Sequence, residues 1–450
     1  MRDILVTLIV FGGLPLIFKR PYIGALMWVW ISVMNPHTQG WGFATSFPFA
    51  AIIAAVTLVS LLFTKESKNL PLTLVTWCLI FFVLWMNVTT VFALYPDDAY
   101  LQWNKVMKIM LMTFVTFMLV KTKQHVQLLI WVIVISIGYY GVKGGIFTIK
   151  GGGVDMVWGP ADTFIGGNNE IALALIMTIP LMHYLQIITP KQWVRHGLTG
   201  AMLLCTVAAL GSYSRGALLA IAAMGVFLWL KSRQKLGLGL LGIMAVPPLI
   251  AFMPEEWTQR MDTINTYEED ESVQGRFNAW WMAYNLAKDR PLGGGFEVTM
   301  PELFYRYAPD PLDIHAAHSI YFQALGEHGF VGLGLYLLLG LLTWRTGSWI
   351  VRNTAKQDNY KWANSLATML QVSLIGFYVG GAFLSLLYFD VPYYLMGAMV
   401  ATRILVEKEL KEKGGSVAEK GKGSLPETGQ LVPSHSQPLA QPNSMSVREN

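Results

Sequence analysis

Long apolar stretches, separated by short polar ones, constrain this chain more than any other feature. They recur at about 4–18, 21–34, 44–63, 71–94, 104–120, 126–148, 169–189, 197–213, 216–231, 236–253, 329–345, 363–389 and 391–406. A helix that crosses a bilayer needs about 20 apolar residues, fewer when its flanking residues snorkel. The first two runs are short enough to make a shallow hairpin. Only 14% of the 450 residues are charged, against about 25% in an ordinary soluble domain. The pattern predicts an all-α polytopic membrane protein with about 12–13 transmembrane helices, of the bacterial inner-membrane type.

Basic residues set the orientation, because Lys- and Arg-rich loops stay cytoplasmic. Lys19-Arg20, Lys65/Lys68, Lys121/Lys123, Lys191/Arg195, Lys231/Arg233/Lys235, Arg345 to Lys361 and Arg403 to Lys413 fall at every second loop. The alternate loops, 35–42, 95–100, 150–169 and 254–317, carry aromatics, Pro, Gly and acids. The C-terminus is therefore expected in the cytoplasm and the 254–317 loop in the periplasm. The N-terminal run has no small-residue cleavage site after it and reads as a retained first helix. Three regions follow: an N-terminal transmembrane region at 1–125, a transmembrane core at 126–406 that includes loop 254–317, and a tail at 407–450.

The 254–317 loop opens at Pro254 and passes the acidic patch Glu268-Glu269-Asp270-Glu271. A helix is expected from an N-cap at Ser272, carrying Phe277, Trp280, Trp281 and Tyr284, until Pro291 and Gly293-Gly294-Gly295 stop it. A second helix is expected from near Asp313, carrying His315 and His318 and ending at Gly326 and Gly329. From Glu407 the Lys-, Glu-, Gly-, Ser- and Pro-rich composition predicts disorder. The tail's Leu425-Pro426-Glu427-Thr428-Gly429 has the form of a sortase pentapeptide. No apolar span follows it, so the match is coincidental.

Several function classes fall away. A formal charge of +5, scattered along the chain, does not argue for nucleic acid. Cys78 and Cys205, both inside apolar runs, read as buried small hydrophobes. The 16 Trp, 18 Tyr and 23 Phe fit aromatic belts at two membrane interfaces. His37, in the outward-facing Asn35-Pro36-His37, reads as part of such an anchor.

Polar residues at membrane boundaries are costly and therefore informative. Arg215, in Ser212-Tyr213-Ser214-Arg215-Gly216, sits on an outward turn between two apolar runs, and its planar guanidinium suits a phosphate or pyrophosphate oxygen pair. Arg276 opens the outward helix; a surface ion pair with the acidic patch is the competing reading. Arg290, Arg306, Lys143 and Lys150 are weaker candidates, and Ser214 is an accessory one. His318 lies where the outward loop re-enters the membrane, and an imidazole titrating near neutrality is the usual base for a hydroxyl. His315, three residues earlier, would share its helical face. No His-Glu-x-x-His motif supports a metal, and none of the glycine clusters follows a strand as a phosphate loop does. No cofactor is implied.

Three stretches together resemble the O-antigen ligase and polymerase superfamily of bacterial membrane glycosyltransferases. They are Ser214-Arg215-Gly216; Gly275-Arg276-Phe277 through Trp280 to Pro291-Leu292-Gly293-Gly294-Gly295-Phe296; and Ala317-His318-Ser319-Ile320-Tyr321-Phe322-Gln323 with Glu327-His328-Gly329-Phe330-Val331-Gly332. In that family Asn commonly follows the histidine; here the residue is Ser319. The N-terminal Arg20-Pro21-Tyr22-Ile23-Gly24, Trp28-Val29-Trp30, Asn35-Pro36-His37 and Trp41-Gly42-Phe43 resemble the O-glycosylation ligases associated with exosortase A. The resemblance implies a C-type glycosyltransferase fold whose periplasmic loop caps a lipid-facing cavity. It implies an undecaprenyl-pyrophosphate-linked glycan as donor, held by Arg215 and Arg276, and a protein, lipid or glycan hydroxyl as acceptor, deprotonated by His318. A polymerase with a second lipid-linked glycan as acceptor is the alternative within the class. A lipid-linked glycan transporter is the alternative outside it.

Overall fold

The structure, a computed structural model, describes residues 1–231, 251–262 and 271–422. These residues are helical, with no strand among them. In chain order the helices are α1 (Arg2–Lys19), α2 (Pro21–Met34), α3 (Phe49–Phe63), α4 (Leu74–Val91), α5 (Pro96–Leu119), α6 (Lys123–Lys150), α7 (Asn168–Ile188), α8 (Gln192–Leu210) and α9 (Arg215–Lys231). Then follow α10 (Glu255–Asp262), α11 (Glu271–Asp289), α12 (Pro301–Tyr307), α13 (Ile320–Thr354), α14 (Lys361–Gly380) and α15 (Asp390–Lys422). Every apolar run within the described residues overlaps one of these helices. The run at 236–253 falls almost entirely outside them, as do Glu268-Glu269-Asp270 and the pentapeptide 425–429.

Among the described residues, α4, α6, α7, α8, α13 and the segment Asp358–Phe383 containing α14 are long and apolar enough to span a membrane, while α2, α3 and α9 are apolar but shorter. The architecture is that of a polytopic membrane protein. Charges separate the remaining runs from the full spans: α1 carries Arg2, Asp3 and Lys19, α5 carries Asp97, Asp98, Lys105 and Lys108, and α15 runs into a Lys/Glu-rich stretch.

Local chemistry accounts for many of the boundaries. Thr73 caps α4 by accepting the Thr76 N–H at 3.3 Å, and Thr122 caps α6 through the His125 N–H at 3.1 Å, as N-cap hydroxyls do. Small residues on α6 admit α8: a side chain at Gly145 would strike the Leu204 backbone, and one at Gly141 the Cys205 sulfur. Close approach through small residues is the usual packing device where lipid supplies no hydrophobic drive, and both cysteines are free and buried.

Three expectations for the polar segments need correction. The α11 helix starts at Glu271, so Ser272 lies inside it rather than at its cap. No helix runs from Asp313 to Ser319; the chain there is irregular, and α13 begins at Ile320. His315 and His318 thus do not share a helical face. The compact unit ends at Val406, but α15 extends to Lys422, so 407–422 is helix rather than disorder. Lys and Glu are good helix formers, and Glu407 and Lys411 have the favourable i,i+4 spacing.

Candidate active site

The connections at one end of the bundle hold one another in place. Between α8 and α9 the turn Gly211–Ser214 is gripped from three sides. The Asn168 amide donates to Ser212 O (2.8 Å), the Tyr213 hydroxyl to Gly153 O (2.8 Å), and the Trp257 indole to Leu210 O (3.1 Å). Tyr213 has a φ of 59°, an uncommon value for a bulky residue that persists where surrounding bonds over-determine it. The Ser214 hydroxyl accepts the Ala217 N–H at 3.2 Å and is buried. It therefore caps α9, and Arg215 stands at the first residue of that helix.

The loop that precedes α13 is clamped by α11. Asn278 donates to Asp310 O (2.7 Å) and Asp313 O (2.8 Å) and accepts the Asp310 N–H (2.8 Å). Two residues further on, the Trp280 indole donates to Ala317 O at 2.6 Å while its ring stacks on Phe322, 4.7 Å between centroids and 6° from parallel. His315 rests on Gly275, where an added Cβ would come within 2.7 Å of its Nδ1, and that same nitrogen pairs with Asp313 at 2.5 Å. These ties fix His318, whose φ of 41° turns the chain into α13.

Arg215 and Arg276 line one cavity of about 300 Å³, together with Gly216, Val273, Trp280 and Phe383. Two guanidinium groups from distant parts of the sequence thus meet on one concave surface with an aromatic wall. His318 adjoins it through the Trp280–Ala317 bond and lies within Coulombic reach of Arg276. Burial foremost, then the Arg276 charge and His315, hold the His318 imidazole below its usual range. It is neutral, and able to accept a proton, at neutral pH. Glu170, on the first turn of α7, is also within Coulombic reach of Arg276.

Eleven residues beyond His318, α13 is broken at Gly329. Gly329 has φ 66° and ψ −170°, a region essentially reserved for glycine. The carbonyls freed on its N-terminal side are taken up: Gly294 N–H donates to Gly326 O (2.8 Å), Gly295 N–H to Glu327 O (2.9 Å), and the Trp85 indole to His328 O (2.8 Å). The Gly293–Gly295 stretch is therefore a backbone cap for a broken helix. Beside the break, Glu327 and His328 are 5% and 0% exposed. Tyr388 donates to Glu327 Oε2, and His328 bonds Tyr388 Oη (2.6 Å) and Thr89 Oγ1 (2.7 Å) through its two nitrogens.

The structure separates the remaining candidates from this cavity. Arg290 donates to Phe92 O, and at fourteen residues from Arg276 it stands about 21 Å away along α11. Arg306 pairs with Asp289 at 3.2 Å on an exposed surface, an arrangement worth little. His37 packs edge-on to Phe49. Sequence reasoning missed Glu170, Trp280 as the holder of the His318 loop, and the Glu327–His328–Tyr388 network. The signal for Glu170 was a carboxylate at the very edge of an apolar run. For Glu327 and His328 it was their place beside the glycines that break α13.

Comparison with known families divides the chain in two. Residues 200–337 match the family described as O-Antigen ligase, and residues 1–189 match a family of unknown function, DUF5935. No curated protein matches the chain. The first match covers the turn of Arg215, the helix of Arg276 and the His318 loop.

Proposed function

We propose that this protein is a membrane glycan ligase of the bacterial inner membrane. It transfers a glycan from an undecaprenyl-pyrophosphate carrier to an acceptor hydroxyl at the periplasmic face. The observation that carries this reading is the meeting of Arg215 and Arg276 on one cavity with His318 beside it. An acceptor oxygen attacks the anomeric carbon while His318 takes its proton. The bond from that carbon to the pyrophosphate oxygen breaks, and its electron pair leaves with undecaprenyl pyrophosphate. Negative charge grows on the leaving group, where the two guanidiniums and the positive end of α9 stabilise it more than in the ground state. Those cations supply what a divalent metal supplies in soluble transferases, so the reaction is proposed to proceed without one. A base held below its usual pKa remains unprotonated through the neutral range.

The test is glycan transfer in proteoliposomes from a purified undecaprenyl-pyrophosphate glycan. Wild type is expected to release undecaprenyl pyrophosphate, and Arg215→Ala and His318→Ala to lose turnover at matched insertion. Full turnover by His318→Ala would remove it as the base. Movement of intact donor across the bilayer would replace the ligase with a transporter.

A further inference from the structure

The α7–α8 connection, at the end of α8 opposite the Arg215 turn, carries a cationic crevice that the transfer reaction does not use. Between Glu170 and Glu255 the chain has no carboxylate, and Lys191, Arg195 and His196 fall in that interval. None of the three has an ion pair among the described residues. The crevice, of about 270 Å³, is lined by Gln186, Gln192, Arg195, His196 and Thr199. Its floor is fixed. The Gln186 amide donates to Thr199 Oγ1 (2.6 Å) and Arg195 O (3.3 Å), and its carbonyl accepts from His183 Nδ1 (3.2 Å). Trp193, 73% exposed, puts this turn at the headgroup level, where indole rings anchor.

From the same level an apolar groove of about 590 Å³ runs along α6, α7 and α8, past Trp131, Ile135, Gly138, Met182, Leu198 and Ala201. A side chain at Gly141 of α6 would meet Cys205 of α8, and one at Gly144 would meet Ala208. The two helices therefore run parallel, in a register that sets Trp131 level with Arg195. Met182 stands one turn from Gln186 on α7, and Leu198 one turn from Arg195 on α8, so crevice and groove open on the same side of this hairpin. From Trp131 to Ile146 the groove follows fifteen residues of helix, about 22 Å. That exceeds the half-thickness of about 15 Å that one leaflet contributes to the bilayer core. Lys143 lines the far end, toward the other leaflet, and no carboxylate lines either space.

We propose that crevice and groove bind an anionic phospholipid of the leaflet that faces the α7–α8 connection. Its phosphate lies on Arg195 with Lys191 beside it, and one acyl chain enters the groove past Trp131 and Leu198. Charge complementarity selects this occupant. Cations with no carboxylate near them favour an anion, and an apolar groove at the same level favours a chain. A zwitterionic lipid brings its own cation to two that are already uncompensated, and a free phosphate leaves the groove unfilled. Arg195 is about 22 Å along α8 from Leu210, where the Arg215 turn begins. The bound lipid is therefore neither donor nor acceptor, and its site does not rest on the ligase reading.

The experiment uses the full chain in phosphatidylcholine nanodiscs with a trace of phosphatidylglycerol carrying a photoactivatable acyl chain, and the matching phosphatidylcholine probe as control. Each Lys or Arg near an anionic headgroup is worth about fivefold. Wild type should therefore be labelled on 131–146 and 195–204 about 25-fold more by the anionic probe. Arg195→Gln should cut that preference about fivefold, Arg195→Gln with Lys191→Gln should bring the probes to parity, and Arg195→Lys should keep it. Ala201→Phe, which fills the groove and leaves the cations in place, should lower labelling there by about tenfold. Equal labelling by both probes in wild type, or a preference that survives the double variant, would leave only annular lipid and overturn the site. Displacement of the probe by soluble glycerol phosphate would give the crevice to a free anion instead of a lipid. Undiminished labelling in Ala201→Phe would overturn the role of the groove.

Discussion

Replacing Gly293 by alanine tests whether the glycine stretch holds the broken helix together. Gly293 has φ 74°, and a Cβ there would stand 2.6 Å from Gly329 N and 2.7 Å from Glu327 O, both backbone atoms. A left-handed conformation costs an alanine about 1–2 kcal/mol. The overlap also drives the 293–295 segment off α13. That weakens the bonds from Gly294 to Gly326 O and from Gly295 to Glu327 O, each costing about 1–2 kcal/mol because the carbonyls are left buried and unmet. The total is about 3–6 kcal/mol, a large part of a typical stability of 5–15 kcal/mol. Gly334→Ala, five residues beyond the break in the same helix, is the control. Nothing lies within 4 Å of a Cβ there, so it should be neutral or stabilising by up to about 1 kcal/mol. Reversible unfolding of both variants and wild type in mixed detergent micelles, followed by tryptophan fluorescence, reads the difference. A loss below about 1 kcal/mol in Gly293→Ala would refute the packing argument.

Other expectations follow from the same geometry. Trp280→Phe keeps the stack on Phe322 but loses the bond to Ala317 O; kcat should fall by about 10–100-fold through misplacement of His318, and wild-type kcat would show that the loop is held otherwise. The acid limb of the pH–rate profile should lie below the ordinary histidine range near 6.5. Removing the Arg276 charge in Arg276→Gln takes away one cause of the depression, so the limb of the residual activity should move to higher pH; an unmoved limb would assign it to another group. Arg290→Ala should keep activity within about threefold, given its distance of about 21 Å along α11 from Arg276, and a loss as deep as that of Arg215→Ala would contradict that placement. Ser214→Ala should cost about 0.5–2 kcal/mol of stability as a lost N-cap, measured by the same unfolding assay.

Much of this fold was legible in the sequence because membrane insertion imposes a simple rule. Apolar runs in lipid must satisfy their backbone internally and so become helices, and the runs on α2, α4, α6, α7 and α9 match their helices within a few residues. Arg215 and His318 stood out because polar groups at a membrane boundary need a reason to be there. The polar loops were less legible. Helical spacing placed His315 and His318 on one face, whereas Asn278 and Trp280 hold that segment as an irregular strap. Side chains 30 or more residues away made that choice, and local propensity carries no record of them.

The sequence by itself determined that the chain is a helical membrane protein, which end of it gathers the aromatic and acidic loops, and which few polar groups are costly enough to matter. Tertiary structure alone decided that Arg215 and Arg276 share a cavity while Arg290 does not, and that Gly293–Gly295 cap a broken helix instead of cradling a phosphate. It alone set Arg195 level with the end of an apolar groove along α6, α7 and α8. The physical reason is range. Hydropathy and charge act on each segment against lipid and water, so they can be read one segment at a time. Convergence of side chains depends on which segments pack together, through contacts that span tens to hundreds of residues.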